Sequence, residues 1–167
     1  MRPQLFWIPG PWLGRLAVAA RPRGGDWLDD EMDGWAGSGT GLIVSLLEPN
    51  EEEQLGLTAE ASAARARNMK FTSFPIPDRD TPSSLRDTLA LLADIEAALR
   101  SGINVAVHCR QGVGRSGLIA AGVLITSGMS PNDAVRIVSA ARGVTVPETE
   151  EQVAWIRNLG AAQRIPA

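Results

Sequence analysis

The sequence predicts a single α/β domain built on a mostly parallel central sheet flanked by helices. Short apolar and β-branched runs (Leu42–Leu47, Lys70–Pro75, Ile103–Val107) alternate with longer stretches whose apolar residues recur at helical spacing. With 167 residues, 44% of them hydrophobic and 21% charged, the chain suffices for one compact core and is too short for two ordinary ones. No internal repeat, low-complexity segment or shift of composition marks a boundary, so residues 1–167 read as one domain.

Taken in order, Leu5–Ile8 and Arg15–Ala19 read as extended segments around the turn Pro9-Gly10-Pro11. Asp26–Trp35 has Trp27, Leu28, Met32 and Trp35 at near-helical spacing, with acidic residues early as a helix start favours, and its tryptophans read as core and staple residues. Leu42–Leu47 reads as a buried strand, and Glu48–Gln54 as an acidic connection whose Glu51-Glu52-Glu53 run is a solvated face. Thr58 is placed to cap a helix through Ala66. After the strand Lys70–Pro75, Thr81 and Pro82 supply an N-cap and a first helical residue. Leu85, Leu89, Leu92, Ile95 and Leu99 continue that helix on one face, and Gly102 closes it. The central run Ile103–Val107 leads through a glycine-rich loop into a helix over Gly117–Thr126. Ser130-Pro131 starts the next helix, and the last one opens at Pro147 or Glu148 with Val153, Ile156 and Leu159 as its apolar stripe.

The net charge of −3 provides no general field for nucleic acid or an anionic membrane, so neither is expected as a partner. No apolar run reaches the length of a membrane span, and Pro9-Gly10-Pro11 breaks any leader-like stretch. Cys109 is the one cysteine, which excludes an internal disulfide, and the one histidine, His108, adjoins it.

The stretch that organises the chain is His108-Cys109-Arg110-Gln111-Gly112-Val113-Gly114-Arg115-Ser116. A strand, a glycine-rich loop and a helix in that order aim backbone N–H groups and the positive end of the helix dipole at one point, which makes an anion cradle. It lacks the Gly-x4-Gly-Lys-Ser/Thr of a nucleotide-binding loop. A cysteine opens it instead, and a thiolate at a helix N-terminus is a nucleophile.

His-Cys-x5-Arg-Ser resembles the signature of the cysteine-dependent protein tyrosine and dual-specificity phosphatases. The resemblance covers about residues 40–160, which it makes the catalytic core. Residues 1–39 look similar to the strand and helix that open compact members such as the kinase-associated phosphatases, an extension packed on that core. The family's chemistry implies hydrolysis of phosphotyrosine, and of phosphoserine or phosphothreonine besides, through a cysteinyl-phosphate intermediate without metal or other cofactor. Cys109 is then the nucleophile. Arg110, Gln111, Gly112, Val113, Gly114 and Arg115 bind the phosphate, Ser116 hydrogen-bonds the sulfur, and His108 orders the loop. Phosphate, sulfate or vanadate would occupy the site, a phosphoprotein or phosphopeptide is the expected substrate, and a reducing, cytoplasmic compartment suits the thiol.

The leaving group needs a proton from another segment. Pro75-Ile76-Pro77-Asp78-Arg79-Asp80-Thr81-Pro82 resembles the acid-bearing loop of this family, with Asp78 in the acid's position and Asp80 the alternative; Arg79 reads as orienting the loop or facing solvent, the second being the safer reading. Val146–Gln152 resembles the loop that positions water or substrate, which makes Glu148 and Gln152 candidates. An ordinary helix start with acidic residues in its first turn explains that segment nearly as well. A phosphopeptide reader without turnover, a sulfurtransferase and an arsenate reductase are the competing readings. The last of these usually recruits further cysteines, and none is present.

Overall fold

A computed structural model describes residues 2–164; Met1 and residues 165–167 of the expected domain lie outside the described residues. Five strands form one sheet in the order β1-β2-β5-β3-β4: β1 Phe6–Ile8, β2 Leu16–Ala20, β3 Thr40–Ser45, β4 Lys70–Ser73 and β5 Asn104–Cys109. All neighbours run parallel except β1, which pairs antiparallel with β2. Among the described residues seven α-helices connect and cover them: α1 Leu28–Gly37, α2 Pro49–Gln54, α3 Glu60–Arg65, α4 Leu85–Arg100, α5 Gly114–Thr126, α6 Pro131–Arg142 and α7 Glu150–Arg164. The α/β class with a mostly parallel sheet is the one the sequence predicts. Leu16–Ala20 is an interior strand, zipped to β5 from Leu16 opposite Val105 to Ala20 opposite Cys109.

The two-residue period of the strands divides the core in two. Val105, Val107 and Cys109 face one side, with Leu16, Val18, Leu42 and Val44, and meet α4, α5, α6 and α7. Ala106 faces the other side with Ala17, Ala19 and Ile43, against Leu28, Met32, Trp35 and Ala64 of α1 and α3. α5 is buried on nearly every face from Gly114 to Ile125, which is why its sequence is apolar without a polar stripe.

Several element ends depart from the sequence reading. Glu48–Gln54 is not a plain connection but contains α2, started by a capping box in which the Glu48 and Glu51 side chains each reach the other's backbone N–H. Glu51 is buried, so the solvated-face reading fails for it. α3 starts at Glu60 without a side-chain cap, and Thr58 lies in the turn before it. β4 ends at Ser73, although Phe74 N and Ile76 N still donate to Ser45 O and Leu46 O. α4 begins at Leu85, not Pro82: Ser84 is its N-cap, accepting from Asp87 N, while the Thr81 N–H is taken by the Asp80 side chain. α5 begins at Gly114, three residues before the expected Gly117, and puts Arg115 and Ser116 in its first turn. α7 begins at Glu150, with Thr149 Oγ1 accepting from Gln152 N at 3.1 Å. Trp35 is buried as expected, but Trp27 is 55% exposed, with the Arg23 guanidinium over its ring at 4.6 Å.

Leu92 of α4 is fully buried, its methyls 3.1–3.2 Å from where a Cβ on Gly122 of α5 would stand. Leu92→Ala is expected to destabilise the domain by about 2–5 kcal/mol, read as a lower denaturation midpoint at unchanged slope.

Candidate active site

Cys109 is the last residue of β5 and α5 starts five residues later, so the loop between them closes at the carboxyl end of the sheet. Gly112 makes the turn possible. Its φ is +74°, and a Cβ there would lie 2.5 Å from the backbone carbon of Ala19 on β2. The thiol is buried, with Sγ 3.3 Å from Ser116 Oγ, within hydrogen-bonding reach.

Arg115 is 2% exposed, and both its terminal nitrogens have partners. Its two terminal nitrogens donate to the two carboxylate oxygens of Glu51 at 2.8 and 2.9 Å, a bidentate fork. Nη1 also donates to Ile76 O at 2.9 Å, and Nη2 lies 3.2 Å from Asp78 Oδ1. Burial alone would lower the Arg115 pKa; the Glu51 hydrogen bonds, with the charges of Cys109, Glu51 and Asp78, outweigh it and raise it. Burial would likewise raise that of Glu51, but hydrogen bonds from Arg115 and from Glu48 N, with the charges of Arg115 and Arg110, lower it. Both groups are held ionised.

A pocket of about 180 Å³ opens over the thiol, lined by Asp78, Arg79, Cys109, Arg110, Gln111, Arg115 and Glu148. A larger groove of about 770 Å³ runs along β4 and α4, past Lys70, Phe71 and Asp94, away from Cys109; the smaller pocket is the one that brings Cys109, Arg115 and Asp78 together. Asp78 lines the pocket and is half exposed, whereas Asp80 is turned into its own loop, with Oδ1 accepting from Thr81 N at 2.7 Å. Arg79 is exposed to solvent, as read, and also lines the pocket, with φ at +62° and a 3.8 Å ion pair to Glu148.

Glu148 and Gln152 part company. Glu148 borders the pocket. Gln152 is fully buried: Oε1 accepts from Glu148 N and Thr149 N, and Nε2 donates to Asp80 O at 3.1 Å. It pins the start of α7 to the aspartate loop and does not line the pocket. Gly114 allows both to come close, since a Cβ there would lie 2.9 Å from Glu148 Oε2.

His108 points to the side opposite Cys109. Nε2 is 2.7 Å from Glu60 Oε1, Nδ1 is 3.3 Å from Cys109 O, and Trp35 stands edge-on at 5.8 Å. Glu60 is 1% exposed and, with Glu51, is a residue around the site to which sequence reasoning gave no part. For Glu51 the signal was present, since Glu48-Pro49-x-Glu51 is a helix-start pattern. Glu60 carried none.

Removing the Glu51 charge takes away the buried carboxylate and leaves the buried guanidinium only half-exposed Asp78 as a charged neighbour. Glu51→Ala is expected to cost about 3–5 kcal/mol in equilibrium unfolding. Because folding lowers the Glu51 pKa, its contribution is complete above the ordinary glutamate range and disappears as pH falls through the lowered value. Wild type should therefore lose stability in acid more steeply than Glu51→Gln, measured as unfolding free energy from pH 7 to 3.

A family model described as "Polymorphic toxin system, DSP-PTPase phosphatase" matches residues 17–129. Among curated proteins, the candidate tyrosine phosphatase 197R of Invertebrate iridescent virus 6 is 26% identical over 164 residues; the match takes in 96% of this chain, which spans 58% of that relative's length. The solved structure of kinase-associated phosphatase, with its catalytic-site cysteine replaced by serine, superposes with a TM-score of 0.85 at 18% identity, covering 97% of this chain and 98% of that one. Tk-PTP in its active form superposes with a TM-score of 0.78 at 30% identity, covering 99% of this chain and all of its own. One family model takes in both the Cys109 loop and the sheet that carries it, and the chain belongs to the DSP-PTPase phosphatases of the polymorphic toxin systems.

Proposed function

We propose that the chain is a metal-independent protein phosphatase that hydrolyses phosphotyrosine, and phosphoserine or phosphothreonine besides, through a cysteinyl-phosphate intermediate. One observation carries the reading: a cysteine at a helix N-terminus, an arginine held by a carboxylate and a half-exposed aspartate line one small pocket. The Cys109 thiolate attacks phosphorus as the ester oxygen leaves, and protonated Asp78 supplies that oxygen's proton. Loop N–H groups from Arg110 to Arg115, with the Arg115 guanidinium, bind the equatorial oxygens and the charge that develops on them. Glu51 holds the planar guanidinium in one orientation. In the second step Asp78, now ionised, takes a proton from the attacking water, and Ser116 hydrogen-bonds the departing sulfur.

The small volume of the pocket supports mixed specificity over a deep slot for one aryl phosphate. Glu148, beside Arg79 at the rim, is suited to orienting substrate or water. Gln152 supports the acid loop instead. A cytoplasmic, thiol-reducing setting is the proposed place of action.

Aryl phosphate hydrolysis in chelator-containing buffer tests the reading. Wild type should stay active, and Cys109→Ser should fall to background while still binding phosphate. Asp78→Asn should lose about 10²–10⁴-fold, least on esters of acidic phenols that leave without help. Asp80→Asn should lose less than about tenfold. An Asp80 variant worse than the Asp78 one would move the acid by two residues, and activity in Cys109→Ser would refute the thiolate route.

A further inference from the structure

The loop over Cys109 presents N–H groups inward only if its carbonyls are held outward. A peptide unit is planar, with the C=O of one residue and the N–H of the next pointing in opposite directions. Whatever captures the carbonyls of Arg110, Gln111 and Gly112 therefore turns the N–H groups of Gln111, Gly112 and Val113 the other way. Arg21 N, just past β2, donates to Arg110 O at 3.3 Å. The other two carbonyls go to one side chain: Arg142, the last residue of α6, donates from Nε to Gly112 O at 2.9 Å and from Nη2 to Gln111 O at 3.2 Å.

The guanidinium is itself held in place. Its central carbon sits 4.2 Å from the centroid of the Phe6 ring on β1. Gly143 then ends α6 in the left-handed conformation, with φ at +82°. A fork reaching two successive carbonyls needs the planar, multi-donor head of arginine; lysine offers a single centre.

We infer that Arg142 is a positioning residue of the phosphate loop, acting from the loop's outer side, and that Phe6 of β1 holds it there. The inference deepens the phosphatase reading and rests on it. Arg142 touches neither substrate nor sulfur. It acts through the backbone, by fixing in the empty protein the N–H geometry that a phosphate would otherwise have to induce. It also gives the N-terminal strand a part in the site that lies on the opposite edge of β2.

A charged residue at a helix C-terminus is favourable without any such role, and lysine separates the two explanations. Arg142→Lys keeps the positive charge at the end of α6 and loses the fork. In the full chain, inorganic phosphate affinity is measured by titration calorimetry for wild type, Arg142→Lys, Arg142→Ala and Phe6→Leu. Thermal midpoints and aryl phosphate kcat and KM are recorded on the same samples. Arg142→Lys and Arg142→Ala should each weaken phosphate about tenfold and lower kcat/KM at least as much, while the folded fraction stays near one. Phe6→Leu should shift both in the same direction by about threefold. Wild-type phosphate affinity in folded Arg142→Lys would overturn the inference even if Arg142→Ala failed to fold. Wild type and Cys109→Ser equally inert would sink the hydrolytic reading, yet the phosphate titrations would still decide on Arg142. A wild-type chain that binds no phosphate would overturn both.

Discussion

The buried fork between Arg115 and Glu51 ties the site to the fold. Arg115 stands in the first turn of α5, the helix most enclosed by the rest of the molecule, and Glu51 comes from α2, 64 residues earlier in the chain. A guanidinium with 2% exposure would be untenable without a partner, and the carboxylate would be equally costly alone. Because each is stable only with the other, α2, the β5 loop and the Ile76 carbonyl that precedes the acid loop are drawn to one point. Three segments distant in sequence thus converge on the phosphate cradle through one ion pair.

How much of this could be read beforehand depended on the distance over which each feature is determined. The Cys109 loop was legible because its spacing, glycines and flanking elements are all local. The parallel sheet followed from alternation, and Asp78, in the position after a proline where the resembled loop carries its acid, is the one of the two aspartates that lines the pocket. The misreadings have physical sources. Three consecutive glutamates looked solvated, yet a helix turns about 100° per residue, so Glu51 faces inward while Glu53 faces out. Two start signals competed ahead of α4; the Asp80 side chain had already taken the Thr81 N–H, which left Ser84 as the cap.

Glu60 and Arg142 show what local reading does not reach. The partner of His108 lies 48 residues away on a helix with no distinguishing pattern, and their meeting depends on the strand's alternation carrying His108 to the α3 side. Arg142 ended an ordinary amphipathic helix, and its function arises from where α6 stops. Gln152 illustrates the converse. It matched a recognised segment, yet its amide is spent on Asp80 and on the start of α7, so the resemblance located the segment without assigning the side chain's contacts.

The Trp35–His108 contact has an optical consequence. The chain contains no tyrosine, so its near-ultraviolet emission comes from five indoles alone. Of these, Trp35 is buried and edge-on to the ring of the residue before Cys109, whereas Trp27 stands in solvent. Trp12 is buried too, and Trp7 and Trp155 are half-buried, so Trp35 shares the blue side of the emission while Trp27 lies to its red side. Rearrangement at the end of β5 therefore registers through the share of that emission that Trp35 carries.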